Sequence, residues 1–167
     1  DQLRLHASNH GTGTTIGSTV VAMIAGDDAA AVLWAGDSRL YRLRDGRLEQ
    51  ITRDHNPVSD LLDSGAVSEE EALAADTNII TRAVGGQPNL YLDVAVFDVQ
   101  PRDTFLLCSD GLYRELSCDT LARELAADAL DQAADRLLEL CLAGAARDNV
   151  SLVIVRPEPA GVEGAGP

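Results

Sequence analysis

The chain has 167 residues, 46% of them hydrophobic but only 4% aromatic, with a formal net charge of −14. That length suits a single domain whose core is packed mostly by Ala, Val and Leu. The charge argues against nucleic acid or anionic membrane as a partner, no run reaches transmembrane length, and three scattered cysteines without metal-type spacing favour a reducing, cytoplasmic setting.

Residues 1–9 carry a weak helical signal through Leu3 and Leu5, and His10-Gly11-Thr12-Gly13 breaks it. Thr14–Ile24 is rich in β-branched residues and pairs across the Ala25-Gly26-Asp27-Asp28 turn with Ala29–Ala35 as a hairpin. Leu40–Leu43 and Leu48–Ile51 alternate about Arg44-Asp45-Gly46-Arg47, a second hairpin, so this half reads as an antiparallel meander. Asn56 then caps a helix that begins at Pro57, carries Val58, Leu61 and Leu62 on one face, and ends at Gly65. Ser68-Glu69-Glu70-Glu71 is a capping box for another short helix. The polar, acidic stretch from about 56 to 78 is expected to form a mobile lobe over the sheet. Leu90–Val99 alternates as a strand, with Leu92, Val94, Val96 and Asp98 on one face. Thr104–Cys108 is a buried strand. A helical region capped by Ser117 or Asp119 runs to about Ala143, with a stripe of Leu121, Leu125, Leu130, Ala134, Leu137, Leu138 and Cys141. Asp128 is expected to divide it and Gly144 to end it. Val150–Val155 is the last strand, and the Pro/Gly-rich residues 157–167 read as a disordered tail behind a domain of residues 1–156.

Three acids stand beside buried strands. The run Thr104–Cys108 delivers Asp110, the run Ala29–Ala35 delivers Asp37, and Asp148 leads into the last strand. In an antiparallel pair the end of one strand lies beside the start of its neighbour, so Asp110 and Asp148 are expected at one edge of a sheet. Carboxylates held on rigid backbone suit hard cations such as Mg²⁺ and Mn²⁺. Each motif alone reads equally well as an ordinary turn. Asn149 either orients Asp148 or satisfies local backbone. His55 is either a phosphate or proton-transfer group or a structural residue at a strand junction, and Arg39 either holds a phosphate or pairs with a buried acid. No nucleotide-binding Gly-rich loop and no Ser or Cys nucleophile in a recognisable setting is present.

Gly36-Asp37-Ser38-Arg39, Thr52-Arg53-Asp54-His55, Ile80-Thr81-Arg82-Ala83-Val84-Gly85, Cys108-Ser109-Asp110-Gly111 and Asp148-Asn149 occur in this order. Together they resemble the metal-dependent serine/threonine protein phosphatases of type 2C in their bacterial form. The resemblance runs from Gly11 to Val155, about the C-terminal two-thirds of such a domain. It implies an α+β fold, an antiparallel β-sandwich flanked by α-helices, and a flap at about 56–78 that influences substrate choice. It further implies that Asp110 and Asp148 bind the principal metal and that Asp37 shares a third metal with Asp110. The cofactors would be Mn²⁺ or Mg²⁺, two or three ions in a complete domain, activating a water that attacks phosphoserine or phosphothreonine in protein substrates.

The family's N-terminal Glu-Asp pair, phosphate-binding Arg and bridging Asp-Gly have no counterpart here. Asp1 is the only acid before Gly11, and Asp27 and Asp28 stand in a hairpin turn. The chain is therefore expected to be a fragment lacking N-terminal strands, completed by a missing segment of the same domain, and inactive or loosely metallated alone. The competing reading is a non-catalytic phosphatase-like module that binds a partner through its acidic flap.

Overall fold

The structure, a computed structural model, describes residues 2–9, 16–68, 79–145 and 147–157. Helix α1 (Gln2–Asn9) leads to β1 (Val20–Ala25), β2 (Ala29–Ala35), β3 (Arg39–Arg44) and β4 (Arg47–Gln50). After α2 (Pro57–Asp63) come β5 (Asp93–Asp98), β6 (Thr104–Cys108), α3 (Asp110–Tyr113), α4 (Cys118–Leu125), α5 (Leu130–Ala143) and β7 (Leu152–Val155). One antiparallel sheet has the order β1-β2-β5 and the other β4-β3-β6-β7. This is the expected α+β sandwich with flanking helices.

Both hairpins form as expected, the second on a two-residue turn at Asp45 (φ 50°) and Gly46 (φ 77°). They do not make one meander. The chain leaves the first sheet at Gly36–Ser38, so β2 pairs with β5 while β3 pairs with β6. Alternation reveals strands and faces but not which strands share a sheet.

Two apolar layers follow from the period of two. On β3 and β6, Leu40, Phe105 and Leu107 face the first sheet and pack with Ala30, Val32 and Trp34. Tyr41, Leu43, Leu106 and Cys108 face the other way, against Leu112, Leu121, Leu125, Leu137 and Cys141 of the helices. Truncating a fully buried Leu in this second layer costs about 2–5 kcal/mol.

The expected long helix is divided at Asp128, and Ser117 caps α4 by accepting the Thr120 N–H at 3.2 Å. On α5 the buried positions are Ala133, Leu137 and Cys141, whereas Leu138 is exposed and Ala134 only half-buried. On β5 the face bearing Val94 and Val96 points outward, 57% and 74% exposed, and Asp93, Ala95 and Phe97 turn inward. Arg156, beyond β7, donates to Thr104 Oγ1 (2.9 Å) and to the carbonyls of Leu125 (3.1 Å), Ala127 (2.8 Å) and Asp128 (3.0 Å). It thereby satisfies the orphan carbonyls at the end of α4.

Asn56 caps α2 as expected, its Oδ1 accepting the Ser59 N–H at 2.8 Å. The capping box, the rest of the lobe to residue 78, His10 and the tail from 158 lie outside the described residues.

Candidate active site

Asp110 follows β6 by two residues and opens α3, so the strand end carries a helical turn rather than a simple Asp-Gly bend. Gly111 is required by close approach: a Cβ there would lie 2.3 Å from the Asn149 carbonyl oxygen. The neighbouring chain is also tied by Ser109 N–H to Ser151 O (3.0 Å), Ser151 N–H to Ser109 Oγ (3.0 Å) and Ser109 Oγ–H to Asn149 O (3.3 Å). These bonds bring the segment carrying Asp148 to the edge occupied by Asp110, although β7 begins at Leu152 rather than Val150. Asp148 is exposed and accepts the Asn149 backbone N–H at 2.7 Å. Asn149 thus holds Asp148 through its main chain.

Asp37 lies just past β2 and is only 4% exposed. Its backbone oxygen accepts the Tyr113 hydroxyl at 3.0 Å. Arg114 stands between the two acids, with Nη2 3.5 Å from Asp37 Oδ2 and Nε 3.4 Å from Asp110 Oδ2. Burial pushes the Asp37 carboxyl above the usual range, the charges of Asp110 and Asp54 add to this, and a backbone hydrogen bond and the charge of Arg114 offset it only in part.

The turn that delivers Asp37 is clamped. Gly36 has φ 114°, and a Cβ on it would meet Thr19 Cγ2 at 2.4 Å. Its N–H donates to His55 Nδ1 (3.1 Å) and its carbonyl accepts the His55 N–H (2.9 Å). The His55 ring stacks on Trp34 (centroids 6.1 Å apart, planes at 13°), and its Nε2 is 3.1 Å from Asp93 Oδ2. Asp93, opposite Trp34 in the sheet register, also takes a charged hydrogen bond from Arg82. His55 is therefore enclosed at the strand junction and holds no free ring nitrogen.

Arg39 is committed to an acid. It donates to both oxygens of Asp54 (2.9 and 2.7 Å) and to Tyr41 Oη (2.7 Å), and its guanidinium lies 3.6 Å over the Tyr113 ring. Arg114, Tyr113 and Asp93 were not legible as site residues. Arg114 could have been found from its spacing, since i and i+4 share a helix face.

Among the described residues, no group of three or more His, Cys, Asp or Glu side chains is gathered as a metal site requires. The acids nonetheless fit a hard divalent ion in part: their donors are all carboxylate oxygens, and Asp37 is buried against like charge with incomplete compensation.

No family model matches this chain. PstP, a serine/threonine protein phosphatase of Mycobacterium tuberculosis, is 37% identical over 143 residues, 83% of this chain and 27% of that protein. A PstP catalytic domain in complex with two manganese ions has a TM-score of 0.77 at 33% identity, over 92% of this chain and 64% of that one. PppA, a key regulatory component of T6SS in Pseudomonas aeruginosa, gives 0.81 at 40% identity, over 93% and 64%. The PPM Ser-Thr phosphatase MsPP of Mycobacterium smegmatis, in complex with cacodylate, gives 0.77 at 30% identity, over 93% and 69%.

A sandwich of this topology with acids at these strand ends defines a phosphatase-type fold. The chain belongs to the type 2C family of bacterial serine/threonine protein phosphatases. It spans 64–69% of these solved chains and 27% of PstP.

Proposed function

We propose that this chain contributes to the active site of a serine/threonine protein phosphatase, with Asp110, Asp148 and Asp37 offering carboxylate oxygens to Mn²⁺ or Mg²⁺. The observation that carries this reading is the placing of Asp37 and Asp110, from different sheets, on one arginine at the ends of core strands. The bound ions supply a water of lowered pKa and neutralise charge on the phosphoryl oxygens. The chain's own residues orient: Gly111 and Asn149 hold the Asp148 segment against Asp110, and Arg114 supplies countercharge between Asp110 and Asp37. Three carboxylates ligating through one oxygen each leave about half of the roughly six octahedral positions to water, phosphate or residues outside this set.

The substrates proposed are phosphorylated proteins, with donors beyond these three carboxylates completing the set. A cytoplasmic signalling role accords with the net charge of −14 and with Cys108, Cys118 and Cys141 all being free thiols. Among the described residues, no helix is long and apolar enough to cross a membrane.

The test is Mn²⁺-dependent hydrolysis of a phosphothreonine peptide by the chain, alone and joined to the N-terminal segment of a type 2C relative. Turnover is expected at least in the joined protein. Asp110→Asn should reduce it by a thousandfold or more with an unchanged folded-state spectrum, since the amide keeps the shape and loses the charge. Undiminished turnover in that variant overturns the reading.

A further inference from the structure

The contacts of His55 go beyond what a packing residue needs. Its backbone N–H and its ring both engage Gly36, the residue before Asp37. The Gly36 N–H donates, so Nδ1 must present a lone pair. At Nε2, Asp93 Oδ2, which only accepts, lies 3.1 Å away, while the donor Arg82 Nη1 is farther, at 3.4 Å, and already engages the other oxygen of Asp93, so the ring proton belongs on Nε2. The two contacts select one tautomer from opposite sides. Burial acts to raise the Asp93 carboxyl, but the hydrogen bonds from His55 and Arg82 prevail and hold it below the usual range, keeping it an acceptor.

We propose that Asp93 and His55 are positioning residues for Asp37. Asp93 fixes His55 as the Nε2–H tautomer, His55 Nδ1 fixes the Gly36 amide, and this places the next residue's carboxylate to receive a divalent cation. The inference rests on the reading of Asp37 as a cation ligand. Thr19 packs on the side of Gly36 that a Cβ would occupy, so no other residue fits this turn. The amide contact to His55 thus sets the direction in which the chain emerges from β2.

Asn and Gln separate the two ring nitrogens. His55→Asn places an amide oxygen near the position of Nδ1 and keeps an acceptor for Gly36. His55→Gln places its amide near Nε2 and leaves the Gly36 N–H without an acceptor. Both lose the stack on Trp34, so a purely packing role costs them alike. Asp93→Asn gives Nε2 a side chain that donates, admitting the Nδ1–H tautomer, whose proton opposes the Gly36 N–H.

Two readouts are taken on the ¹⁵N-labelled chain. Imidazole ¹⁵N shifts and the coupling across the N–H···N bond report tautomer and contact without metal, and titration with MnCl₂ followed by water-proton relaxation reports affinity. We expect an Nε2–H ring coupled to Gly36 in the native chain. Mn²⁺ affinity should fall about 10–100-fold in His55→Gln and Asp93→Asn, and stay within about threefold of native in His55→Asn. An Nδ1–H ring, or equal affinities in the Gln and Asn variants, overturns the proposal. Asp37→Ala separates the two failures. If it weakens Mn²⁺ binding while His55→Gln does not, the positioning role is wrong and the ligand reading survives. If it leaves affinity unchanged, the ligand reading has failed and the positioning role falls with it.

Discussion

Asp37 carries the sharpest conflict between stability and chemistry. It is buried, it stands near two other acids, and the countercharge of Arg114 lies 3.5 Å away. Its folded-state pKa is raised, so between the ordinary carboxylate value and the raised value the native protein binds more protons than the unfolded chain. Its contribution to stability therefore falls as pH rises through that window, and the full penalty is present at neutral pH. Asp37→Asn should melt at a higher temperature than the native chain at neutral pH in EDTA. The difference should shrink toward zero below the ordinary carboxylate pKa. Calorimetric melts across that range check the sign, and a lower melting point for the variant at neutral pH refutes it. Asp103 shows the opposite design: it is 1% exposed, yet bidentate bonds from Arg44 (2.8 and 2.7 Å) and the Gln100 N–H (2.8 Å) outweigh burial and hold its carboxyl low. One buried acid is fully answered by its surroundings and the other is left short.

The turn joining β6 to α3 is where two segments distant in sequence must touch. Gly111→Ala puts a methyl group against the Asn149 carbonyl, and backbone cannot yield as a flexible side chain does. The expected cost is about 1–3 kcal/mol, as for overpacking elsewhere, together with weaker Mn²⁺ binding as the Asp148 segment is pushed from Asp110. Chemical denaturation and metal titration on the same variant check both, and native values in each overturn the contact's importance. The meeting of these two segments was legible beforehand because an apolar run, a Gly break and the antiparallel rule set the end of β6 beside the start of β7. Other features were hidden. Each face of β5 carries one Asp, the outward one with Val94, Val96 and Asp98 and the inward one with Asp93, Ala95 and Phe97, so alternation marked the strand without revealing which face the core takes. The pairing of His55 with Asp93 spans 38 residues and depends on which strands share a sheet, which no local pattern records. The partition of the two hairpins between sheets was lost for the same reason.

Across the molecule, protection should follow the two apolar layers. In β6, Thr104, Phe105, Leu106 and Cys108 are each at most 3% exposed, whereas in α2 Pro57, Val58, Ser59 and Leu62 are only half-buried and Leu61 is 44% exposed. Amides of α2 should exchange with solvent at least tenfold faster than those of β6, since local opening there uncovers little apolar surface. Equal rates by hydrogen–deuterium exchange would show that α2 opens only with the whole domain. At the opposite end, Arg156 ties the end of β7 to β6 and to the last turn of α4 with four hydrogen bonds. The practical boundary for shortening or tagging the C-terminus is therefore the peptide after Arg156. A reporter or affinity handle attached beyond it leaves the guanidinium in its seat. A cut one residue earlier strips α4 of the clasp on its terminal carbonyls, although β7 remains whole.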